Sequence, residues 1–305
     1  MDAIQKTLLE AVADLHEVPS GAYNIRANGK SLGRSSSANI EIVPKKDADG
    51  IDIIIRPNTK KESVHLPVLL SESGITETVY NDFYIGEGAD VVIVAGCGIH
   101  NGGDKESRHD GIHTFHVAKG AHVRYVEKHY GDGDGNGERV MNPTTVIEID
   151  EGGSMEMETA QIKGVDSTDR VTRARLAKDA SLVIKEKLMT HGRQYAKTDF
   201  TVDLDGDGSS ANVISRSVAK DTSRQLFISR INGNSVCSGH TECDAIIMDE
   251  ASVSAVPEIT ANSTEASLIH EAAIGKIAGE QLIKLMSLGL SEAEAEEQIV
   301  NGFLK

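Results

Sequence analysis

"GADVVIVAG", residues 88–96, sets two small residues ahead of an aliphatic run, and the same signal returns along the chain. Gly88-Ala89-Asp90-Val91 is followed by Gly120-Ala121-His122-Val123 and Gly152-Gly153-Ser154-Met155. Asp179-Ala180-Ser181-Leu182, Glu250-Ala251-Ser252-Val253 and Glu265-Ala266-Ser267-Leu268 continue the series. The first three copies are 32 residues apart (positions 89, 121 and 153), and the fourth lies 27 further on. Short strands joined by stereotyped turns at near-fixed spacing describe a β-solenoid, in which each aliphatic stacks on its counterpart in the next coil. A sandwich also repeats turn signals, every ~8–12 residues. The longer period favours the solenoid and predicts that Val91, Val123, Met155 and Leu182 point inward.

Working outward, "ANIEIV", "GIDIIIRP", "HVRYVEKHY", "TVIEID", "SMEMETAQI", "SLVIKEKLM" and "RQLFISRI" alternate with a period of two between Gly, Asp, Asn or Ser. With no Trp, five Phe and six Tyr, the interior must be built mainly from aliphatic side chains, which suits a thin, layered core. At the N-terminus, residues 2–15 carry Ile4, Leu8, Val12 and Leu15 at helical spacing, and Pro19 and Gly21 end the helix. At the C-terminus "GKIAGEQLIKLMSLG" and "SEAEAEEQIVNGF" predict a helical hairpin. Gly289 closes its first helix, and a Ser291/Glu294 capping box opens the second. The expected organisation is a lead-in helix and segment over 1–35, a mainly β solenoid over 36–272, and a helical hairpin over 273–305.

The formal net charge of −16 excludes the basic face that nucleic-acid binding needs and disfavours an anionic membrane surface. No apolar run approaches the ~20 residues of a spanning helix, and the acidic N-terminus lacks a signal-peptide pattern. Three cysteines (Cys97, Cys237, Cys243) imply no disulfide framework. A soluble cytoplasmic protein is expected.

Several motifs fall short of chemistry. "DLDGDG" (203–208) and "DGDGNG" (132–137) open like calcium loops, but the twelfth positions are Ile214 and Pro143 rather than Glu, so both read as acidic turns. "GCGIHNGG" (96–103) lacks the Gly-Lys-Ser/Thr of a phosphate loop, and no nucleophile elbow or zinc-protease pair is present. His100, His109, His113, His116, His122 and His129 crowd behind Cys97, a donor set that suits iron, zinc or copper. The expectation is nevertheless a solvated run of turns, with His113 and His116 on opposite faces and His116 and His122 sharing one. "CSGHTEC" (237–243) brings Cys237, His240 and Cys243 together in sequence. On a regular strand the two cysteines share a face and His240 points away; a bend expected at Gly239 would remove even that. The segment is expected to supply one ligand to a site completed from elsewhere.

The C-terminal third resembles a known family. "GHTECDAIIMD", "PEI" at 257–259, "LIHEAAIGKI" at 268–277 and "EQLIKLMSLGLSEAEAEEQIVNGF" at 280–303 occur in the order found in the SufB/SufD family, and "SGAYNIRANGKSLGR" (20–34) is similar to its N-terminal part. These are core subunits of the SUF machinery for iron–sulfur cluster assembly, and this chain is shorter than members usually are. The resemblance implies a right-handed parallel β-helix and a non-catalytic scaffold. It also implies a partner, a SufC-like ABC-type ATPase, engaged through about 275–303. By the same resemblance Cys243 occupies the context of a cysteine proposed to hold the nascent cluster. His270 matches a histidine that contributes across a dimer interface, and Glu271 an acidic neighbour. Because both cysteine and histidine are present, a homodimer through the β-helix is expected. Cys237, His240 and Cys97 have no secure counterpart and remain secondary candidates. Cluster type, sulfur donor and any flavin are not encoded in these motifs. Two other readings stay open. One is a SufC-associated metal-binding or regulatory protein without assembly activity. The other is a β-helix carbohydrate enzyme, which the scarcity of aromatic platforms disfavours.

Overall fold

A computed structural model describes residues 1–305. Successive strands alternate between two sheets, so that within each sheet neighbours are parallel and come from consecutive coils. One sheet runs from the strand Lys30–Ser35 through Asp90–His100, His122–Asp132 and Ser154–Lys163 to Ser267–Gly275; the other ends at Ser252–Ala261. The protein is a right-handed parallel β-solenoid with an N-terminal helix and a C-terminal helical hairpin. Antiparallel pairing is confined to the two hairpins at its start, Ala22–Ala27 with Lys30–Ser35 and Ile40–Pro44 with Gly50–Ile55.

The turn signal works as the sequence suggests. Gly88, Gly120 and Gly152 hold φ of +64°, +63° and +66°, a left-handed bend that glycine adopts without a Cβ penalty. In the fourth copy Asp179 takes the same conformation at +55°, as a short polar side chain can. The aliphatics that follow form one continuous ladder: Val91 against Val123, Val123 against Met155, Met155 against Leu182. All four are buried, at 3 % exposure or less. The ladder continues through Ala211 and Gly239 to Leu268.

Gly239 is therefore an inward position in an unbroken strand, Ser238–Ile247, and not the expected bend. Packing explains it: a Cβ there would come within 2.9 Å of both Ile231 Cγ2 and Leu268 Cδ2. Four of the five phenylalanines and Tyr125 are buried in the core. Phe83 and Phe115 stack with centroids 4.3 Å apart, and Tyr125 meets Phe115 edge-on at 4.9 Å.

Helix α1 (Ala3–Ala13) opens with a capping box between Asp2 and Gln5 and packs Leu8, Leu9 and Val12 on the outside of the first sheet. The glycines of "AGCGIH" make room for it, since a Cβ on Gly96 would sit 2.8 Å from Val12 O and one on Gly98 3.1 Å from Leu8. Helix α2 (Gly279–Ser287) buries none of its residues. Helix α3 (Glu292–Phe303), capped by Ser291 and Glu294, lays Val300 and the following Leu304 on Val218 and Met248 of the solenoid wall. No helix is long and apolar enough to cross a membrane.

Candidate functional site

On the strand Ser238–Ile247, inward and outward positions alternate without interruption. Cys243 points inward at 1 % exposure, in register between Ser215 of the preceding coil and Ala272 of the next. Burial, with Glu186 and Asp244 nearby, pushes its thiol up to about 12, so it is protonated at neutral pH. His270 lies on the adjacent and last strand, Ser267–Gly275, in register with Thr241, and its Nδ1 is 2.5 Å from Thr241 Oγ1. Thr241 and Cys243 share the inner face. His270 is thus a diagonal neighbour of Cys243, two residues along and one strand across, or ~8 Å between Cα atoms from ordinary sheet spacings. Burial, then His240, lowers the His270 pKa, which keeps the imidazole neutral and able to bind metal.

Glu271 and His240 are on the opposite, outer face, with His240 Nε2 3.6 Å from a Glu271 carboxylate oxygen. A site using both His270 and Glu271 would have to form around the strand's free edge, since their side chains leave opposite faces. Cys237 is buried in the turn before the strand, its Sγ 3.1 Å from where a Gly233 Cβ would stand. Cys243 is six residue steps further along extended chain, about 20 Å, and His240 faces the other way. Cys237, His240 and Cys243 cannot converge on one ion.

The expectation for the histidine-rich stretch needs correction. His109, His113 and His129 are buried between the sheets at 6–8 % exposure, not solvated. His116 and His122 belong to different sheets and share no face; outside, His116 pairs with Glu148 and His122 with Ser154. The buried three form part of a polar network that sequence reasoning missed. Arg170 donates to Glu127 and lies 3.9 Å from Glu186, while Arg26 pairs with Glu77 at 3.1 Å. Glu186 in turn accepts from Thr198 and Ser215, and Ser215 is the register neighbour of Cys243. The polar interior therefore reaches from the first coils to the buried cysteine. Although burial opposes ionisation, Arg170, His129 and His113 hold the Glu127 carboxyl well below the usual range. Burial lowers the pKa of His113 to about 4 and also lowers that of His129. Cys97, at 2 % exposure, lines the same region, its thiol raised by burial and by Glu77 and Glu127.

The SUF system FeS cluster assembly SufBD core domain matches residues 75–303, three quarters of the chain, a range that includes Cys97, Cys237, Cys243 and His270. This chain belongs to the SufB/SufD family. An iron-sulfur cluster assembly SufBD family protein of Methanocaldococcus jannaschii is 30% identical over 269 residues, 86% of this chain and 84% of that protein. A second, from Archaeoglobus fulgidus, is 29% identical and covers 90% of this chain and 73% of its own. A third, from Pyrococcus horikoshii, is 28% identical over 92% of this chain and 86% of its own. Membership assigns the SufBD chain a general role in iron–sulfur cluster assembly. It also sets the carbohydrate-enzyme reading aside.

Proposed function

We propose that this SufBD chain is the non-catalytic scaffold subunit of a cytoplasmic iron–sulfur assembly complex, with Cys243 and His270 as ligands of the transient cluster. The observation that carries this reading is their placement: a thiol and a neutral imidazole on adjacent strands, on one inner face, at the open end of the solenoid. Thiolate and imidazole both ligate iron–sulfur clusters, and a site with few protein ligands can release its cargo. Loading displaces the Cys243 thiol proton, because the thiolate is the ligand.

Two features support partners. The last strand of each sheet has a neighbour on one side only, and Val256, Ile259, Ile269 and Ile274 are exposed beside those free edges. Free edges and exposed aliphatics are where a second copy would pair, which would bring a second Cys243 and His270 to the same end. Helix α2 leaves Ile283, Met286 and Leu288 in solvent, with Leu288 76 % exposed, and this face is our candidate for docking a SufC-like ATPase. Phe303 packs partly on the α3 contact with the wall and contributes less.

The test is anaerobic reconstitution with iron and sulfide, read by absorption. Cys243→Ser should lose the cluster, His270→Ala should weaken it, and Cys237→Ser should leave it intact. Loss with Cys237→Ser but retention with Cys243→Ser would reverse the assignment. An ATPase-binding chain that never assembles a cluster would favour the regulatory reading instead.

A further inference from the structure

A cavity of about 20 Å³ lies between the sheets, with Cys97, His109, Gly111, His113, Glu127 and His129 on its wall. That is room for one water or one ion. It exists because residue 111 has no side chain: a Cβ there would stand 3.2 Å from His109 Nε2 and 3.4 Å from His113 Nε2.

The hydrogen bonds set the tautomers. His109 Nδ1 is 3.0 Å from Glu77 Oε1, an acceptor, so Nδ1 carries the proton and Nε2 presents a lone pair. Tyr125 donates to Glu127 at 2.9 Å, so His113 Nδ1, 2.7 Å from the tyrosine oxygen, is the donor there, and its Nε2 accepts from Asn81 Nδ2 at 3.3 Å, a contact that a bound metal would displace. His109, anchored to the Glu77 carboxylate through one nitrogen with the other left free, is oriented as metal-binding histidines are; His113 reaches a carboxylate only through Tyr125. On the same wall, Asn81 Oδ1 is buried without a hydrogen-bond partner.

Charge supplies an independent argument. Three interior carboxylates, Glu77, Glu127 and Glu186, face two guanidiniums, Arg26 and Arg170. A divalent cation that displaces the Cys97 proton adds a net single positive charge and balances the set, whereas an uncompensated buried charge is costly.

We propose that this cavity binds one divalent transition-metal ion of the zinc or ferrous class through His109 Nε2, His113 Nε2 and Cys97 Sγ. Imidazole and thiolate donors select such ions. Binding forms the metal–sulfur bond and releases the thiol proton to solvent, with no change of oxidation state. In the present arrangement no three donors surround a common point. Metal–nitrogen bonds of about 2.0–2.1 Å require both imidazoles to turn inward, into the space that Gly111 leaves. The site is separate from Cys243 and does not rest on the scaffold reading.

The deciding variant is Cys237→Ser with Cys243→Ser, which leaves Cys97 as the sole thiol and removes the cluster cysteine. Chelator-stripped full-length chain is loaded with Co(II) during anaerobic refolding. The expected result is one cobalt per chain with a near-ultraviolet sulfur-to-cobalt charge-transfer band. That band should vanish when Cys97→Ser is added, and cobalt affinity should fall at least tenfold with His109→Ala. Absence of the band in the sole-thiol variant overturns the proposal whether or not the histidine variants fold, as does a band and affinity unchanged by His109→Ala. Cluster reconstitution of the wild type reads the scaffold function separately.

Discussion

Arg170 Nη1 donates a hydrogen bond to Glu127 Oε2 across the interior of the solenoid, from a strand of one sheet to a strand of the other. Both side chains are under 5 % exposed. The pair therefore ties the two sheets together in a medium where neither charge has water to fall back on.

Removing one partner should be expensive. Arg170→Met strands Glu127 and Glu186 without their cation, and breaking a buried pair typically costs ~3–5 kcal/mol. The shift should appear as a lower denaturant midpoint in equilibrium unfolding. A change below ~1 kcal/mol would mean that the pair contributes little beyond its own desolvation.

Acid should destabilise the protein in two stages. The folded-state pKa of His113 is lowered to about 4, so between roughly 6.5 and that value the unfolded chain binds a proton that the folded chain refuses. Stability therefore falls as pH drops through this window, by about 3 kcal/mol from His113 alone, with His129 acting in the same direction. Glu127 has the depressed carboxylate pattern: its contribution is present above the unfolded value and is lost below it, as pH falls toward its folded pKa. Denaturant titrations from pH 7 to 4 should show this slope, and His113→Asn should flatten its upper part. An identical slope in that variant would remove His113 from the account.

Gly239→Ala tests why glycine stands there. The added methyl would sit 2.9 Å from Ile231 Cγ2 and Leu268 Cδ2, and overpacking of this kind costs ~1–3 kcal/mol. Thermal unfolding should move down accordingly. A neutral substitution would show that the last coils yield freely. Val123→Asp, in the same ladder, should be worse, since it also buries a charge.

The docking face is best tested by point changes. Truncating the hairpin would also strip Val300 and Leu304 from the wall. Ile283→Glu with Leu288→Glu alters side chains that are 67 % and 76 % exposed, so the melting temperature should hold. Co-purification with a SufC-like ATPase should be lost. Retained binding would move the docking surface elsewhere.

The alternation already contained more of the interior than the fold assignment used. Once Val123 is inward, parity carries Tyr125, Glu127 and His129 inward too, and Leu182 does the same for Ile184 and Glu186. Two buried carboxylates were thus legible in "VRYVEKHY" and "LVIKEKLM". Their partner Arg170 was not, because it arrives from the opposite sheet, 43 residues after Glu127.

By itself the sequence determined the solenoid, its turns and the four-residue aliphatic ladder. A period-two strand and a left-handed small residue are local properties, repeated until stacking becomes the only way to bury them. The family motifs also singled out Cys243 and His270, the ligands proposed above. What only the tertiary structure decided was which chemistry-bearing residues meet. Parallel stacking sets Cys243 beside the strand of His270 while carrying Cys237 about 20 Å away along the same extended chain. It also gathers His109 and His113 around the missing side chain of Gly111, facing Cys97. Those meetings depend on register between coils and on which sheet each strand joins. Both are fixed by packing over the whole solenoid, and no single segment contains them.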